Sequence, residues 1–333
     1  MATMQENTRS ELLYRRQRVE AVLAAHAAPQ FQELLNEIDL ALERFEAGRY
    51  GLCEECGDPI EPDRLDADPL ARLCLDHLTP SQARELEQDL DLAARVQRQL
   101  LPPRHVAAHG WDIAYHYEPL GAVSGDYCDV VHPSGADADP VFLFGDISGK
   151  GVAASMLMAH LHASVRTLVG LDLPVSQVVE RANRVFCDST MANHYATLVC
   201  GRLTRSGEVE ICNAGHCAPL LAQDGHVTAV EATGVPIGLF CVSEFQATRH
   251  RMAHGDTLVL YTDGLTEACN VTGDEFGEGR LTALVAAHDS STPDELISVI
   301  ARHVAAFRGA VPRADDVTIM VIRRKSDRGE GER

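Results

Sequence analysis

The sequence lacks the segments that carry proteins into or across membranes. Among its 333 residues no uninterrupted apolar run approaches the roughly 18 to 20 residues that span a bilayer. Charged residues at Glu6, Arg9 and Glu11 leave no apolar core for a signal peptide. Disulfide frameworks are typical of short secreted chains, so the ten cysteines are predicted to be metal ligands or reduced core thiols. We therefore expect a cytoplasmic protein.

The chain is also poor in positive charge. Its formal net charge of -20 repels nucleic-acid phosphates and acidic membrane surfaces. The basic run Arg323-Arg324-Lys325 is followed by acidic residues, and residues 324–333 are interpreted as a solvated polar tail. Lys150 stands between two glycines without a following Ser or Thr, so it does not form a Walker phosphate loop. These absences argue against partners that are membranes or nucleic acids.

Helical patterns dominate the first hundred residues. Residues 1–50 are predicted to form a short helical hairpin, whose second helix opens at Pro29. A capping-box sequence, Thr79-Pro80-Ser81-Gln82, predicts a linker helix over 79–101 that the prolines after Leu101 end. Its apolar stripe fits either a helix packed on the next domain or a dimeric signalling coiled coil. The pattern leaves both open.

A Cys-rich segment over 51–78 separates the hairpin from the linker helix. Cys53 and Cys56 form one pair, and Cys74 and His77 form a second pair after seventeen intervening residues. Two such pairs suit one tetrahedral structural Zn²⁺, which would supply much of the folding free energy of so small a segment. The alternative is four reduced side chains without a metal.

The residues around these pairs resemble the DksA/TraR zinc finger, from Ala41 to Ile60 and then at Arg64-Leu65. That family often has a cysteine where this chain has His77. Some members bind RNA polymerase through the tip of a helical hairpin, which makes polymerase a partner that the resemblance implies. The turn Ala27-Ala28-Pro29 lacks an acidic tip, and this argues against that partner.

From Trp111 onward, strand and helix patterns alternate, and hairpins of strands with pairs of helices predict an α+β layered sandwich. The predicted strands are Trp111–Tyr117, Val141–Phe144, Ala196–Leu203, Val209–Cys212, Thr257–Tyr261 and Val317–Ile322. The predicted helices are Ala153–Val169, Val175–Cys187, Arg280–Ala287 and Pro293–Phe307.

Aspartates mark the ends of several of these strands. Asp146 and Asp263 each end an apolar strand, the Asp315-Asp316 pair precedes another, and Asp126 follows Ser124-Gly125. Carboxylates that meet at one sheet edge suit Mg²⁺ or Mn²⁺, and two such ions sharing a hydroxide could attack phosphorus in line. An Asp beside Gly is also ordinary turn chemistry. Four such sites together favour the metal centre.

Five motifs, in this order, resemble the SpoIIE/RsbU branch of the PPM (type 2C) serine/threonine phosphatases. They are Ser124-Gly125-Asp126-Tyr127-Cys128-Asp129, Gly145-Asp146-Ile147-Ser148-Gly149-Lys150-Gly151, Asn213-Ala214-Gly215-His216, Tyr261-Thr262-Asp263-Gly264-Leu265-Thr266-Glu267 and Asp315-Asp316-Val317-Thr318. The resemblance implies a four-layer αββα phosphatase domain over 102–323 that holds two Mn²⁺ or Mg²⁺ ions.

The same resemblance assigns roles to individual residues. Asp146 would bridge both ions with help from the Ile147 carbonyl, Asp263 and Asp315 would complete the site, and Asp126 would bind directly or through water. Asp316 aligns beside the ligand position. Ser148 replaces a histidine proposed as general acid in other type 2C enzymes.

Two further residues of the motifs have weaker assignments. Lys150 either contacts substrate phosphate or is merely exposed, and the sequence leaves both readings open. For His216, in a predicted strand-end turn, a structural role is favoured over catalysis.

The leading hypothesis is a phosphatase of partner-switching signalling. By resemblance, its substrate is a phosphorylated STAS-domain anti-sigma-factor antagonist, and the linker helix forms a homodimer. The rival is a zinc-finger regulatory protein that binds RNA polymerase or another partner and carries a catalytically silent phosphatase-like domain. Intact aspartates at the four ligand positions count against silence.

Overall fold

The computed structural model describes residues 2–25, 29–133, 138–190 and 194–325. The chain forms two compact units, Met1–Asp89 and Leu90–Arg333. The division falls inside a helix, and the predicted domain limits at residues 50, 78, 101 and 323 stay predictions. The hairpin residues Ala27 and Ala28, and residues 326–333 of the predicted tail, lie outside the described residues.

The N-terminal unit confirms the predicted helical hairpin. Helices α1 (Ala2–Ala25) and α2 (Pro29–Glu46) pack through a small core of Leu12, Ile38 and Ala41. After them come α3 (Pro62–Ala67), a 3-10 turn (Leu75–His77) and the start of α4 (Pro80–Leu100). The predicted capping box is present at the start of α4.

Two contacts form that capping box. The Gln82 amide donates to Thr79 Oγ1 at 3.3 Å, and the Thr79 amide donates to Gln82 Oε1 at 3.1 Å. Both residues satisfy backbone donors that the first turn of a helix leaves unpaired. The sequence signal therefore located the start of α4 correctly.

The C-terminal unit contains two antiparallel sheets. The first sheet has the strand order β1-β2-β11-β10-β7-β8, and the second has the order β3-β4-β5-β6-β9. The strands of the first sheet are β1 (His105–Ala108), β2 (Trp111–Glu118), β7 (Leu220–Gln223), β8 (His226–Ala229), β10 (Thr257–Tyr261) and β11 (Val317–Arg324). Those of the second are β3 (Tyr127–Val131), β4 (Val141–Ile147), β5 (Ala196–Leu203), β6 (Glu208–Ala214) and β9 (Thr248–Arg251).

Helices cover the outer faces of both sheets. The second sheet carries α5 (Gly151–Val169) and α6 (Val175–Ser189), and the first carries α7 (Asp263–Thr266), α8 (Gly277–Ala287) and α9 (Pro293–Arg308). The sheets pack against each other through a third, central core. This arrangement confirms the predicted four-layer αββα fold.

The alternation of side chains along each strand builds these layers. On β4, Phe142 and Phe144 enter the core between the sheets, whereas Leu143 enters the core under α5 and α6. On β10, Leu258 and Leu260 face the central core, and Val259 and Tyr261 face α8 and α9. Because both faces of these strands are covered, Val141–Phe144 and Leu258–Tyr261 are continuous apolar runs, without the alternation of a strand that has one exposed face.

Helix α5 is, within the part of the chain that the structure describes, the one helix long and apolar enough to cross a membrane. Its residues Met158, Leu161 and Val165 pack in the core beneath the second sheet. Its Arg166 guanidinium lies 2.6 Å from the buried Asp129 carboxylate of β3. Core packing accounts for its apolar composition.

A substitution at Gly145 of β4 tests how closely β4 and β5 pair. A Cβ at this position would lie 2.2 Å from the Thr197 carbonyl oxygen, which is too close for any heavy-atom contact. We expect Gly145→Ala to lower the melting temperature by about 2 to 10 °C, since overpacking costs about 1 to 3 kcal/mol. Scanning calorimetry measures the shift.

Gly279→Ala is the matched control. Gly279 is an exposed residue of α8, and a Cβ at this position would meet no heavy atom within 4 Å. Alanine favours helix over glycine by about 0.8 to 1 kcal/mol, so its melting temperature should stay or rise. Equal melting temperatures for Gly145→Ala and the wild type would contradict the pairing.

Candidate functional site

The predicted aspartates of the C-terminal unit lie at one end of the sandwich. In the second sheet, Asp126 directly precedes β3 and Asp146 is the last residue but one of β4, and the pairing of Tyr127 with Gly145 sets them side by side. In the first sheet, Asp263 begins α7 just after β10. The Asp315-Asp316 pair directly precedes β11, which pairs with β10. The topology thus brings together residues that are up to 190 positions apart in the sequence.

Asp126 lies deepest, with its side chain only 2% exposed. Burial and the nearby charge of Asp146 raise the pKa of the Asp126 carboxyl well above its usual range. Thr262 Oγ1 donates to Asp126 Oδ2 at 3.2 Å, and Thr318 Oγ1 donates to the same oxygen. Thr262, directly after β10, and Thr318 of β11 therefore fix this carboxylate across the gap between the sheets.

The other aspartates repel one another. Burial, with the charges of Asp263 and Asp315, raises the pKa of the Asp146 carboxyl to about 7. Burial and the charge of Asp315 also raise the pKa of the Asp263 carboxyl. Lys150 Nζ lies 2.8 Å from Asp315 Oδ2 and donates to the Ala314 carbonyl at 2.7 Å. Bound cations would relieve the repulsion that remains.

Two glycines let the backbone approach these carboxylates. A Cβ on Gly125 would lie 3.0 Å from the Ile147 carbonyl oxygen and 3.1 Å from Asp146 Oδ1. A Cβ on Gly264 would lie 2.0 Å from the Asp316 carbonyl oxygen. The Ile147 carbonyl and the Asp146 carboxylate thus stand close together as hard oxygen donors, the type that Mg²⁺ and Mn²⁺ prefer.

The aspartates are more widely spaced than the ligands of a single-ion cage. In the described part of the chain, the one group of three or more His, Cys, Asp or Glu residues whose ligand atoms all lie within 4.8 Å of one another is in the Cys-rich segment. Wider spacing leaves room for more than one ion or for coordinating water, which Mg²⁺ usually keeps. The donor set therefore fits the predicted divalent ions.

Asp316 is engaged with the backbone. Its Oδ1 accepts from the Leu120 amide at 2.6 Å, and its Oδ2 accepts from the Gly125 amide at 3.2 Å. These contacts hold the loop that carries Asp126. Asp315, in contrast, has a side chain that is 37% exposed and pairs with Lys150.

Gln97 holds the same loop from α4, a role that the sequence did not reveal. Its Nε2 donates to the Ser124 carbonyl at 2.7 Å, and its Oε1 accepts from the Ser124 amide at 3.0 Å. The side chain is only 5% exposed. The sequence does show that the amide side chain of Gln97 interrupts the apolar stripe of this helix. It could not show the partner of that amide, because Ser124 lies 27 residues away.

His216 connects the two sheets. Its Nε2 donates to the Tyr261 carbonyl at 3.1 Å, and its Nδ1 accepts from Thr197 Oγ1 at 2.8 Å. Burial lowers the pKa of His216 to about 4, so the ring is neutral near pH 7. Both ring nitrogens are thus occupied by protein groups, which are the contacts of a structural residue.

A small cavity of about 200 Å³ opens beside Asp146 and Asp263. Ser148 and His216 are among its other lining residues. Ser148 Oγ accepts from the Tyr195 amide at 3.0 Å, so this hydroxyl fixes a loop at the cavity wall. The cavity leaves these two aspartates accessible to a small molecule.

The Cys-rich segment of the N-terminal unit brings its four predicted ligands together. The ligand atoms of Cys53, Cys56, Cys74 and His77 all lie within 4.8 Å of one another. Cys56 Sγ and Cys74 Sγ are 3.8 Å apart. Two Zn–S bonds of about 2.3 Å at the tetrahedral angle place sulfurs about 3.8 Å apart, so the donor set fits Zn²⁺.

Removal of a zinc ligand tests this site. We expect full-length protein to contain about one equivalent of zinc, and Cys74→Ser to contain less than about half an equivalent, because three ligands bind more weakly. Elemental analysis measures the content. The control is Cys241→Ser, which changes an exposed cysteine outside the cluster and should keep its zinc. Wild-type protein without zinc would contradict the site.

Gln97→Ala tests the hold of α4 on the Ser124 loop. The substitution strands a buried amide and a buried carbonyl, and it should lower the free energy of unfolding by about 1 to 3 kcal/mol. Urea denaturation measures the loss. Gln99→Ala, at an exposed position on the same helix, should change stability by less than about 0.5 kcal/mol. Equal effects of the two variants would refute the role of Gln97.

Comparison with known proteins places this geometry in a family. Residues 137–325 match the family described as stage II sporulation protein E (SpoIIE). Residues 48–76 match the prokaryotic dksA/traR C4-type zinc finger, and His77 lies just beyond that match. The fourth predicted zinc ligand therefore departs from the four-cysteine pattern.

Individual relatives agree with the family match. Phosphoserine phosphatase RsbU of Bacillus subtilis is 25% identical over 72% of this chain and 71% of its own length. Protein IcfG of Synechocystis is 25% identical over 71% of this chain, which spans only 41% of that protein. The SiaA-PP2C domain of Pseudomonas aeruginosa superposes with a TM-score of 0.64 at 22% identity, covering 74% of this chain and 99% of that domain. The chain belongs to the SpoIIE family, and its C-terminal unit has the fold of the SiaA-PP2C domain.

Proposed function

We propose that this protein is a divalent-metal-dependent phosphatase that removes phosphate from serine or threonine residues of another protein. The convergence of Asp126, Asp146, Asp263 and Asp315 at one end of the sandwich carries the proposal. Membership of the SpoIIE family and similarity to a phosphoserine phosphatase support the same reaction.

Two Mg²⁺ or Mn²⁺ ions would be held by Asp146, the Ile147 carbonyl, Asp263 and Asp315. When bound, such ions would acidify water and neutralise charge on the phosphoryl oxygens. Asp126 would bind directly or through water, since its hydrogen bonds from Thr262 and Thr318 leave it in a fixed orientation. Asp316 keeps the Asp126 loop in place through the Gly125 amide.

Lys150 has a positioning role in this proposal. Its ammonium group pairs with Asp315, and its second contact, with the Ala314 carbonyl, ties the loop before β11 to the loop after β4. The same ammonium group is near enough to the site to attract the dianion of a phosphoserine. The Lys150 side chain would thus both orient Asp315 and attract the phosphate group of the substrate.

The proposed partner is a phosphorylated STAS-domain protein, on the resemblance to the RsbU branch. Homodimerisation through the linker helix is the second partner proposal. Leu92 and Val96 lie one turn apart on α4, and each is 53% exposed. An exposed aliphatic pair at this spacing suits the seam of a short coiled coil.

The rival function is a regulatory protein that binds RNA polymerase through its zinc finger and has an inactive phosphatase domain. The Cys53–His77 cluster is built from residues separate from the aspartates, so it would serve either function. The intact aspartate set favours the enzyme.

Metal-dependent hydrolysis tests the proposed function. Full-length protein with Mn²⁺ should hydrolyse p-nitrophenyl phosphate and a phosphoserine peptide, and a chelator should abolish both activities. Asp146→Asn and Asp263→Asn should each lower kcat/KM by at least about a hundredfold, since loss of a metal ligand removes several kcal/mol of transition-state stabilisation.

Asp188→Asn is the control because Asp188 is exposed on α6 and lies outside the site. It should keep wild-type rates. Hydrolysis rates that do not depend on Mn²⁺, or that are equal in all variants, would contradict the proposed phosphatase activity. Retention of RNA polymerase on immobilised protein, lost in Cys53→Ser, would then support the rival.

A further inference from the structure

A larger cavity of about 330 Å³ lies beside the aspartate site, on the outer side of the first sheet. Its apolar lining comes from α7, α9 and β11, namely Leu265, Ala301, Val304, Ala305, Val317 and Ile319. Protein interiors seldom leave voids larger than a water molecule, whereas cavities of this size commonly receive ligands. The described fold leaves this space unfilled by its own side chains.

Small side chains on α9 keep the cavity open. Ala301 and Ala305 lie one helical turn apart and face it, and the buried Val304 lines it between them. A leucine at either alanine position would occupy part of the volume. The helix that covers the first sheet therefore presents two alanines to this cavity.

The cavity shares a wall with the site. Asp315 and Gly264 both line it, as does Lys150, whose Nζ lies 2.8 Å from Asp315 Oδ2. Successive Cα atoms of a peptide are about 3.8 Å apart. A segment that brings a phosphoserine to the aspartates would therefore bring a residue within about three positions of it to the cavity.

The lining chemistry restricts the occupant. Around the apolar floor lie charged side chains of both signs, including Glu118, Lys150 and Glu267. Arg313 also lines the cavity, but its guanidinium donates to the Glu118 and Pro119 carbonyls. Mixed charge gives no preference for an ion, and burial of a charge against the apolar floor is costly. The volume suits one or two uncharged side chains, not a helix.

We propose that this cavity is a specificity subsite that receives a large aliphatic side chain of the phosphoprotein substrate, within about three residues of its phosphoserine. The proposal rests on the phosphatase activity proposed above. Burial of an aliphatic side chain next to the reacting group would favour substrates that carry it over those that carry alanine. The subsite would thus select the segment that the enzyme dephosphorylates.

A peptide scan with the full-length protein tests the subsite. Phosphoserine peptides with alanine at all neighbouring positions are compared with peptides that carry leucine at one of the three positions on either side. At one position at least, leucine should raise kcat/KM by about tenfold or more, the usual effect of filling an apolar pocket.

Ala305→Phe should fill the cavity from α9 and reduce this preference to less than about twofold. The preference is a ratio measured within each variant, so a general change in rate cancels. Ala306→Phe is the matched control because Ala306 is exposed on the same helix and is not part of the lining. It should keep the wild-type ratio, and thermal unfolding checks that both variants fold.

Fluorescence anisotropy with the same peptides in a chelator measures the leucine preference without turnover. Loss of the preference in Ala305→Phe alone supports the subsite. No leucine preference at any position, or a preference that survives Ala305→Phe, overturns it. Absence of hydrolysis with an intact binding preference would contradict the phosphatase proposal and leave the subsite supported, so the two failures are distinguishable.

Discussion

Repulsion among partly or fully buried carboxylates is the constraint on which the rest of the C-terminal unit depends. Asp126 and Asp146 lie at strands of one sheet, and Asp263 and Asp315 at strands of the other. Besides burial, the charges of Asp263 and Asp315 raise the pKa of Asp146, and the charge of Asp146 raises the pKa of Asp126. Such a cluster forms only where a fold holds the two sheet ends together at a cost in free energy. The proposed cations would offset that cost, which links stability to function in the same residues.

Specific polar contacts hold those sheet ends together. His216 joins Thr197 of the second sheet to Tyr261 of the first, two residues before Asp263. Thr262 and Thr318 reach from the first sheet to Asp126 of the second. On the outer side, Gln97 and Asp316 fix the loop before Asp126. These contacts come from different elements, and they fix Asp126, the loop before it and the end of the strand that precedes Asp263.

The layered fold and most long elements were predictable from the sequence because their signals are local. The continuous apolar run in Thr257–Tyr261 and the capping box that begins at Thr292 gave correct elements. Strand β3 was missed because Asp129 interrupts its apolar run, and only the fold shows that Arg166 neutralises this buried charge. The edge strand β9 was missed because Thr248-Arg249-His250-Arg251 is polar throughout.

Within the site, the aspartates were predictable from the sequence, but the residues that hold them in place were not. Turn glycines next to aspartates marked the candidate ligands. The partners of Gln97 and His216, in contrast, lie 27 and 45 residues away and leave no local pattern. The cavity beside α9 likewise depends on elements from four parts of the chain. Long-range packing of this kind has no periodic signature in one sequence.

The most direct test of the account is anomalous X-ray diffraction at the manganese edge from crystals of the full-length protein grown with Mn²⁺. We expect two manganese peaks among the carboxylates of Asp126, Asp146, Asp263 and Asp315, with the Ile147 carbonyl beside one of them. No peak at these carboxylates, or manganese only at the Cys53–His77 cluster, would contradict the proposed metal centre.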